Sequence, residues 1–363
     1  MDLILASKKA DKTIVEVEGV GGYYTWSSSQ FPVLSQKKVA AGLLLLHPRG
    51  IALPHYADSS KIGYVCEGEC ILGLISPEDS KEEVIKIQKG DTLPVTVGVT
   101  SWWYNAGHDS KLTIIFLGES SEEYTPGEFC YFFLTGAAGI LNGFSNDLIA
   151  KYFHMNKNES EKLMKDQSIL NLLIKINEGT TIPNPSNSAK RKLVFNLDDA
   201  KPCVDVKNGG TLSSVSGKNI ALLEEIGLSA NRVVLEGGAI LGPIFTADNS
   251  VQLNYVTKGS GRVVIVGLFG KVVLDTKVEE GELFFVPKFF PFVVEADEGG
   301  IEFFSVKTSS KQVYGELSGG KKSIWEAASS SILEVSLNMT PDLTKSFKAK
   351  IAKGAVIAPP STV

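Results

Sequence analysis

The segment Lys61-Ile-Gly-Tyr-Val-Cys-Glu-Gly68 returns in altered form as Gln252-Leu-Asn-Tyr-Val-Thr-Lys-Gly259. Tyr64 and Tyr255 stand 191 positions apart, and so do Gly68 and Gly259. The pairs Gly90-Asp91 and Gly281-Glu282 keep the same offset. Three landmarks in one register mark a duplication, so the chain must build one structural unit twice. Its 363 residues give each copy the length of an ordinary domain.

The grammar within each copy is that of β-structure. Runs such as Val263-Val-Ile-Val266 and Lys271-Val-Val-Leu-Asp275 are β-branched and bounded by turn residues. Gly68 and Gly259 end strands where a tight turn needs positive φ. Many short strands at regular spacing predict an all-β chain with two jelly-roll barrels, and not βαβ units. A helical pattern follows each barrel. The first runs from Asn146 to about Ile176, with Ser145 as N-cap and Leu148, Ile149, Tyr152 and Phe153 as an apolar stripe. A second helix fits Lys157 to Lys165. After the other barrel come Ser323 to Ala328 and Asp342 to Lys350, the latter capped by Thr340 with Pro341 at its first position. The polar, Pro-rich stretch 177–192 reads as a linker. This divides the chain into residues 1–176, the linker, and residues 193–363.

Composition narrows the function. A net charge of −5 offers no footprint for nucleic acid or an acidic membrane. Apolar stretches such as Gly42 to Leu46 and Leu283 to Val286 are too short to span a bilayer. The start, Met-Asp-Leu-Ile-Leu-Ala-Ser-Lys-Lys, lacks a charged n-region and a long apolar core, which predicts no secretory signal and a cytoplasmic protein. Cys66 and Cys70 are expected on one face of one strand. With Cys130 and Cys203 too isolated for a tetrathiolate zinc site, all four are expected as free thiols. His47, His108 and His154 have no partner nearby in sequence, and Thr135-Gly-Ala-Ala-Gly139 lacks the lysine of a phosphate loop.

Leu53-Pro-His-Tyr56 with Tyr64-Val65 and Gly68, followed by Gly90-Asp91 through Gly98-Val-Thr-Ser-Trp-Trp-Tyr-Asn105, resembles the two signature motifs of plant legumin-type globulins. Gly143-Phe-Ser-Asn-Asp-Leu-Ile-Ala150 resembles their inter-barrel helix, and Leu228 to Leu235 the strand that enters their second barrel. The resemblance runs from about Tyr23 to about Ile351 and implies a bicupin fold, a seed-storage role without catalysis, and a head-to-tail homotrimer. It departs from secreted legumins at their cleavage site, since Asn208-Gly209 is followed by Gly-Thr-Leu. The nearest likeness is to the unprocessed, legumin-like cupins of the plant cytosol.

Metal-dependent cupins hold their ion through His-x-His, a Glu and a further His. Here His55 remains, Ala57 and Ser101 stand at two ligand positions, and Lys61 falls near the third. In the second barrel Ile244 and Phe292 stand at the matching positions, and that pocket is expected to be apolar. No metal and no cofactor are therefore expected. The resemblance brings His55, Lys61, Tyr64 and Ser101 to one barrel mouth, where they are candidates to hold a small carboxylate or phosphate. Binding is then expected to weaken as His55 loses its charge at rising pH. Besides storage, two readings stay open: a small-ligand or anion-binding protein, and a metal-independent isomerase or lyase with His55 or Lys61 as acid/base.

Overall fold

The computed structural model describes residues 5–78, 80–168 and 170–360. The N-terminal tetrapeptide read above and residues 361–363 lie outside these. The chain forms two compact units, Ala10–Asp198 and Asp199–Val363, with the first nine residues belonging to the latter.

In the first unit two antiparallel sheets enclose a core. One has seven strands in the order Phe195–Asn196, Asp91–Val95, Lys61–Glu67, Leu112–Glu119, Val39–Leu46, Gly21–Thr25 and Lys12–Val17. The other has six, with Gly50–Ala57 between Thr100–Asn105 and the short strand Tyr131–Phe133. Strand alternation sends Leu44, Leu46, Leu72, Ile85, Ile114 and Trp103 inward. Trp103 packs edge-on against Phe116 at 5.1 Å, while Trp102 faces the other side and donates to Glu82 Oε1 at 2.7 Å. The alternation therefore separates the two indoles, and both are buried.

Cys66 and Cys70 do not share a strand. Gly68, at φ 83°, turns the chain between Lys61–Glu67 and Glu69–Ile75. A Cβ at Gly68 would meet the Lys111 carbonyl oxygen at 2.4 Å, so glycine is required there by space as well as by conformation. Burial pushes the Cys66 thiol up to about 12 and Cys70 also upward. The four cysteines are free thiols.

The stretch 177–192 is not an independent linker, and the unit boundary falls at 198/199 instead of 192/193. Ser186 caps a helix, Asn187–Leu193, and its backbone N donates to Val84 O at 2.6 Å. Lys190 then pairs with buried Asp91 at 2.8 Å, and Phe195–Asn196 joins the seven-stranded sheet. These bonds fasten the segment to the first unit. The expected helix from Asn146 ends at Tyr152, and a second runs Lys157–Ser168. Ser145 accepts from Leu148 N as its cap. Leu173–Lys175 is a strand on Gly50–Ala57, not the end of a helix.

The second unit is built on an eleven-stranded antiparallel sheet that includes Ser7–Lys8, paired with Leu283 and Phe284. Its helices are Ala221–Glu225, Ile324–Ala327, Ser330–Leu337 and Pro341–Lys353, the last capped by Thr340. No helix among the described residues is long and apolar enough to cross a membrane.

Candidate functional site

Ser101 stands directly opposite His55 in the antiparallel ladder, so both side chains face the same way. Lys61 opens the strand Lys61–Glu67 of the opposing sheet. His55, Lys61 and Ser101 thus converge on a cavity of about 40 Å³, walled also by Trp103, Phe116 and Tyr131. That is room for roughly two or three waters.

Tyr64 does not reach it. Three positions along one strand put Tyr64 and Lys61 on opposite faces, and the Tyr64 hydroxyl donates to Asp198 Oδ1 at 2.7 Å. Two tyrosines that sequence spacing did not reveal take its place. Tyr131 Oη accepts from Lys61 Nζ at 3.4 Å and is itself hydrogen-bonded to Tyr23 Oη. The Lys61 ammonium lies 4.4 Å from the Tyr131 ring centroid and 4.8 Å from that of Phe129, with Phe116 at 5.9 Å. Tyr131-Phe132-Phe133 is a β-like aromatic run in the sequence, but nothing local says that it pairs with Gly50–Ala57.

The electrostatics follow from burial. Lys61 is 3% exposed, and desolvation lowers its ammonium to about 7 against an upward pull from Asp58. Among the described residues no carboxylate lies within ion-pair distance of its Nζ. Desolvation also lowers His55 to about 4; the Leu53 carbonyl resists this and Lys61 reinforces it. A carbonyl only accepts, so the 2.8 Å bond between His55 Nδ1 and Leu53 O puts the proton on Nδ1 and leaves Nε2 an acceptor. The expectation that a charged His55 governs anion binding is thereby corrected: near neutral pH the group that changes charge is Lys61. Ser101 Oγ accepts from Trp103 Nε1 at 3.0 Å. Burial raises both Tyr23 and Tyr131, so their hydroxyls keep their protons.

In the second unit Phe292 stands opposite Ile244, the ladder position that Ser101 and His55 fill in the first. The expectation of a wholly apolar pocket fails beyond these two side chains. Gln252 occupies the repeat position of Lys61, and Lys307 lies across the ladder from it. The Lys307 ammonium sits 4.7 Å from the Tyr314 ring centroid, donates to Val313 O at 3.1 Å, and pairs with Asp248 at 3.3 Å. Tyr314 donates to Gln252 Oε1 at 3.2 Å and accepts from Asn231 Nδ2 at 2.7 Å. Among the described residues, no three His, Cys, Asp or Glu side chains cluster as metal ligands would.

A family model described as Cupin matches residues 8–161 and again 195–345. The chain belongs to the cupin family. Its two matched segments make it a bicupin, and its relatives place it with the legumin-type globulins. Cocosin 1 of Cocos nucifera is 24% identical over 96% of this chain and 85% of its own length. Glutelin type-B 2 of Oryza sativa is 21% identical over 84% and 76%. The crystal structure of the coconut allergen cocosin superposes with a TM-score of 0.88 at 24% identity, covering 98% of both chains. The 11S globulin of Wrightia tinctoria, whose structure is described as revealing an auxin binding site, has a TM-score of 0.88 at 21% identity, covering 99% of this chain and 96% of its own.

Proposed function

We propose that this bicupin is a seed-storage-like nutrient reservoir with no catalytic role. The observation that carries the reading is the duplicated cupin unit matched along most of the chain to storage globulins. Ala57, Ile244 and Phe292, at positions where metal-dependent cupins carry ligands, offer no donor atom. Protein abundance across seed filling and germination tests it. Accumulation followed by rapid loss supports storage; a constant trace level in all tissues overturns it.

The reservoir assembles with itself. Ile149 is buried, yet Leu148, Phe153 and Tyr152, the last 79% exposed, present an apolar helix face. The second unit exposes Ile332 and Val335 in the same way, Val335 at 84%. Faces of this kind need a cover, and a trimer satisfies both units. Light scattering should give three times 39.1 kDa. Leu148→Asp with Tyr152→Asp should dissociate it, and a concentration-independent monomer overturns the assembly. Four free thiols fit a reducing, cytosolic setting.

A second reading is favoured by one observation: Lys61 is buried against a cavity without a carboxylate partner. That cavity accommodates a small ligand contacting Lys61, His55 and Ser101. Its size suits a carboxylate such as acetate better than phosphate. Calorimetry with acetate at millimolar concentration is expected to show binding that weakens as pH rises through about 7, where Lys61 loses its charge. No heat at any pH overturns this reading.

A further inference from the structure

We propose that Lys61 captures small aldehydes inside the first barrel, its amine adding to the carbonyl carbon and water leaving to form an imine. The inference rests on the cavity reading above and adds covalent chemistry to it. The first observation is geometric. Nζ lies at the wall of a space of about 40 Å³ whose other walls are largely aromatic or aliphatic. Such a space admits a molecule of a few heavy atoms and excludes larger carbonyl compounds. His55, Tyr131 and Phe133 in its wall each keep part of their surface exposed, and entry is taken to be from that side.

The second observation is the set of groups around the amine. Among the described residues Lys61 has no carboxylate partner to hold it charged, and burial adds to this by lowering it to about 7, so that a large fraction is free amine at neutral pH. Tyr131 Oη, 3.4 Å from Nζ, carries a proton and is backed by Tyr23 Oη. In the addition step Nζ forms the C–N bond while the carbonyl oxygen takes up the proton released by nitrogen, giving a carbinolamine. In the second step that hydroxyl leaves as water with a proton returned by Tyr131, which recovers its own as the nitrogen loses its remaining hydrogen. Amine and aldehyde go in, imine and water come out, and nothing is oxidised or reduced. His55 Nε2, an acceptor in the neutral ring, is the second group able to hold a proton in transit.

The third observation is an internal control. Lys307 is as deeply buried as Lys61 and also lies over a tyrosine ring, but it is tied to Asp248 and to Val313 O. An amine held as an ammonium by a carboxylate has no lone pair to offer. One chain therefore contains two buried lysines of which one is predicted to react.

The test is reductive trapping of the intact protein. Acetaldehyde and cyanoborohydride at pH 7 should attach an ethyl group to Lys61 at least about tenfold faster than to Lys307 or to exposed Lys345, read by peptide mapping. Tyr131→Phe should slow the trapping of Lys61 and leave that of Lys345 unchanged. Should that variant disturb the fold, the wild-type pH profile decides: Lys61 labelling should reach its plateau just above pH 7, while labelling of free lysine added to the same solution still climbs at pH 9. Labelling of Lys61 no faster than Lys345, or with the pH profile of free lysine, overturns the proposal. Acetate binding without such trapping overturns the imine alone and leaves the cavity reading intact; loss of both overturns both.

Discussion

The two barrels solve one problem in two ways. Each buries a lysine against a tyrosine that opens a short strand, Tyr131 beside Ala57 and Tyr314 beside Thr246. In the first barrel the lysine sits at position 61 with Gly118 across the ladder. In the second the same rung holds Gln252 and Lys307, with the lysine on the other strand. Among the described residues, of these two lysines only Lys307 pairs with a carboxylate. Burying an ammonium costs several kcal/mol unless it is paired. Asp248 and a carbonyl compensate Lys307, whereas aromatic faces and one hydroxyl do less for Lys61. Their titration responds accordingly: burial lowers both, but Asp248 pulls Lys307 back, and Lys61 falls to about 7. Matching rungs of the two ladders thus carry different polar contents.

The comparison breaks most sharply at the ion pair. Lys307→Met leaves Asp248 without its cation, though Ser250 N still donates to it, and should destabilise the chain by about 2–3 kcal/mol, less than the roughly 3–5 kcal/mol of a fully buried severed pair because Asp248 keeps some exposure. Lys61→Met removes a desolvated amine and strands no charge. It should be neutral or stabilising by about 1 kcal/mol. Chemical denaturation of both variants checks the contrast; equal losses would mean that the aromatic faces compensate an ammonium as well as a carboxylate does.

The second way to sharpen it uses pH. His55 is lowered from 6.5 to about 4 in the fold. Between those values the unfolded chain takes up a proton that the folded chain refuses, so stability is lost as pH falls from about 6.5 to about 4, by roughly 3 kcal/mol. His55→Gln should remove that loss. Lys61 acts at the other end. Its folded value of about 7 lies below the ordinary 10.5, so from pH 7 to 10.5 the unfolded chain holds the extra proton and stability rises with pH. Lys61→Met should flatten that rise. Melting curves across pH read both, and a slope unchanged by either substitution contradicts the assignment.

How far the sequence speaks depends on where the information lies. The repeat, the two barrels and the caps at Ser145 and Thr340 are legible because each is written in a few adjacent residues. The convergence of His55, Lys61 and Ser101 is legible only through the likeness to legumin motifs. That likeness also implies Tyr64 in the site, but the alternation of its own strand turns Tyr64 away from Lys61 and toward Asp198. The spacing of Cys66 and Cys70 predicts them on one strand, but Gly68 between them turns the chain. Tyr23 and Tyr131 were invisible because their meeting depends on strands more than a hundred residues apart. The helix at Asn187–Leu193 was hidden in a Pro-rich stretch, since its anchors are Ser186, Lys190 and a buried Asp91 far upstream.

The smallest expected effect concerns a turn that the duplication rewrote. Gly98 and Phe289 keep the 191-residue offset, and both have left-handed backbone, at φ 77° and 66°. Glycine adopts this region freely, whereas a phenylalanine pays about 1–2 kcal/mol to enter it. Phe289 recovers little in return, being 51% exposed. Its backbone N does donate to Thr246 Oγ1 at 3.4 Å, a bond that does not depend on the side chain. Phe289→Gly should therefore stabilise the second unit by about 0.5–1 kcal/mol, the strain relieved less the entropy that glycine adds to the unfolded chain. Gly98→Phe is the reciprocal experiment. A Cβ at Gly98 meets nothing within 4 Å, so any cost is conformational and not steric, and about 1 kcal/mol of destabilisation is expected. Opposite signs from the two substitutions, measured by thermal melts under one buffer, would show that the turn kept its backbone through the duplication while its residue changed. Two losses of equal size would show instead that the Phe289 ring holds contacts worth more than the strain.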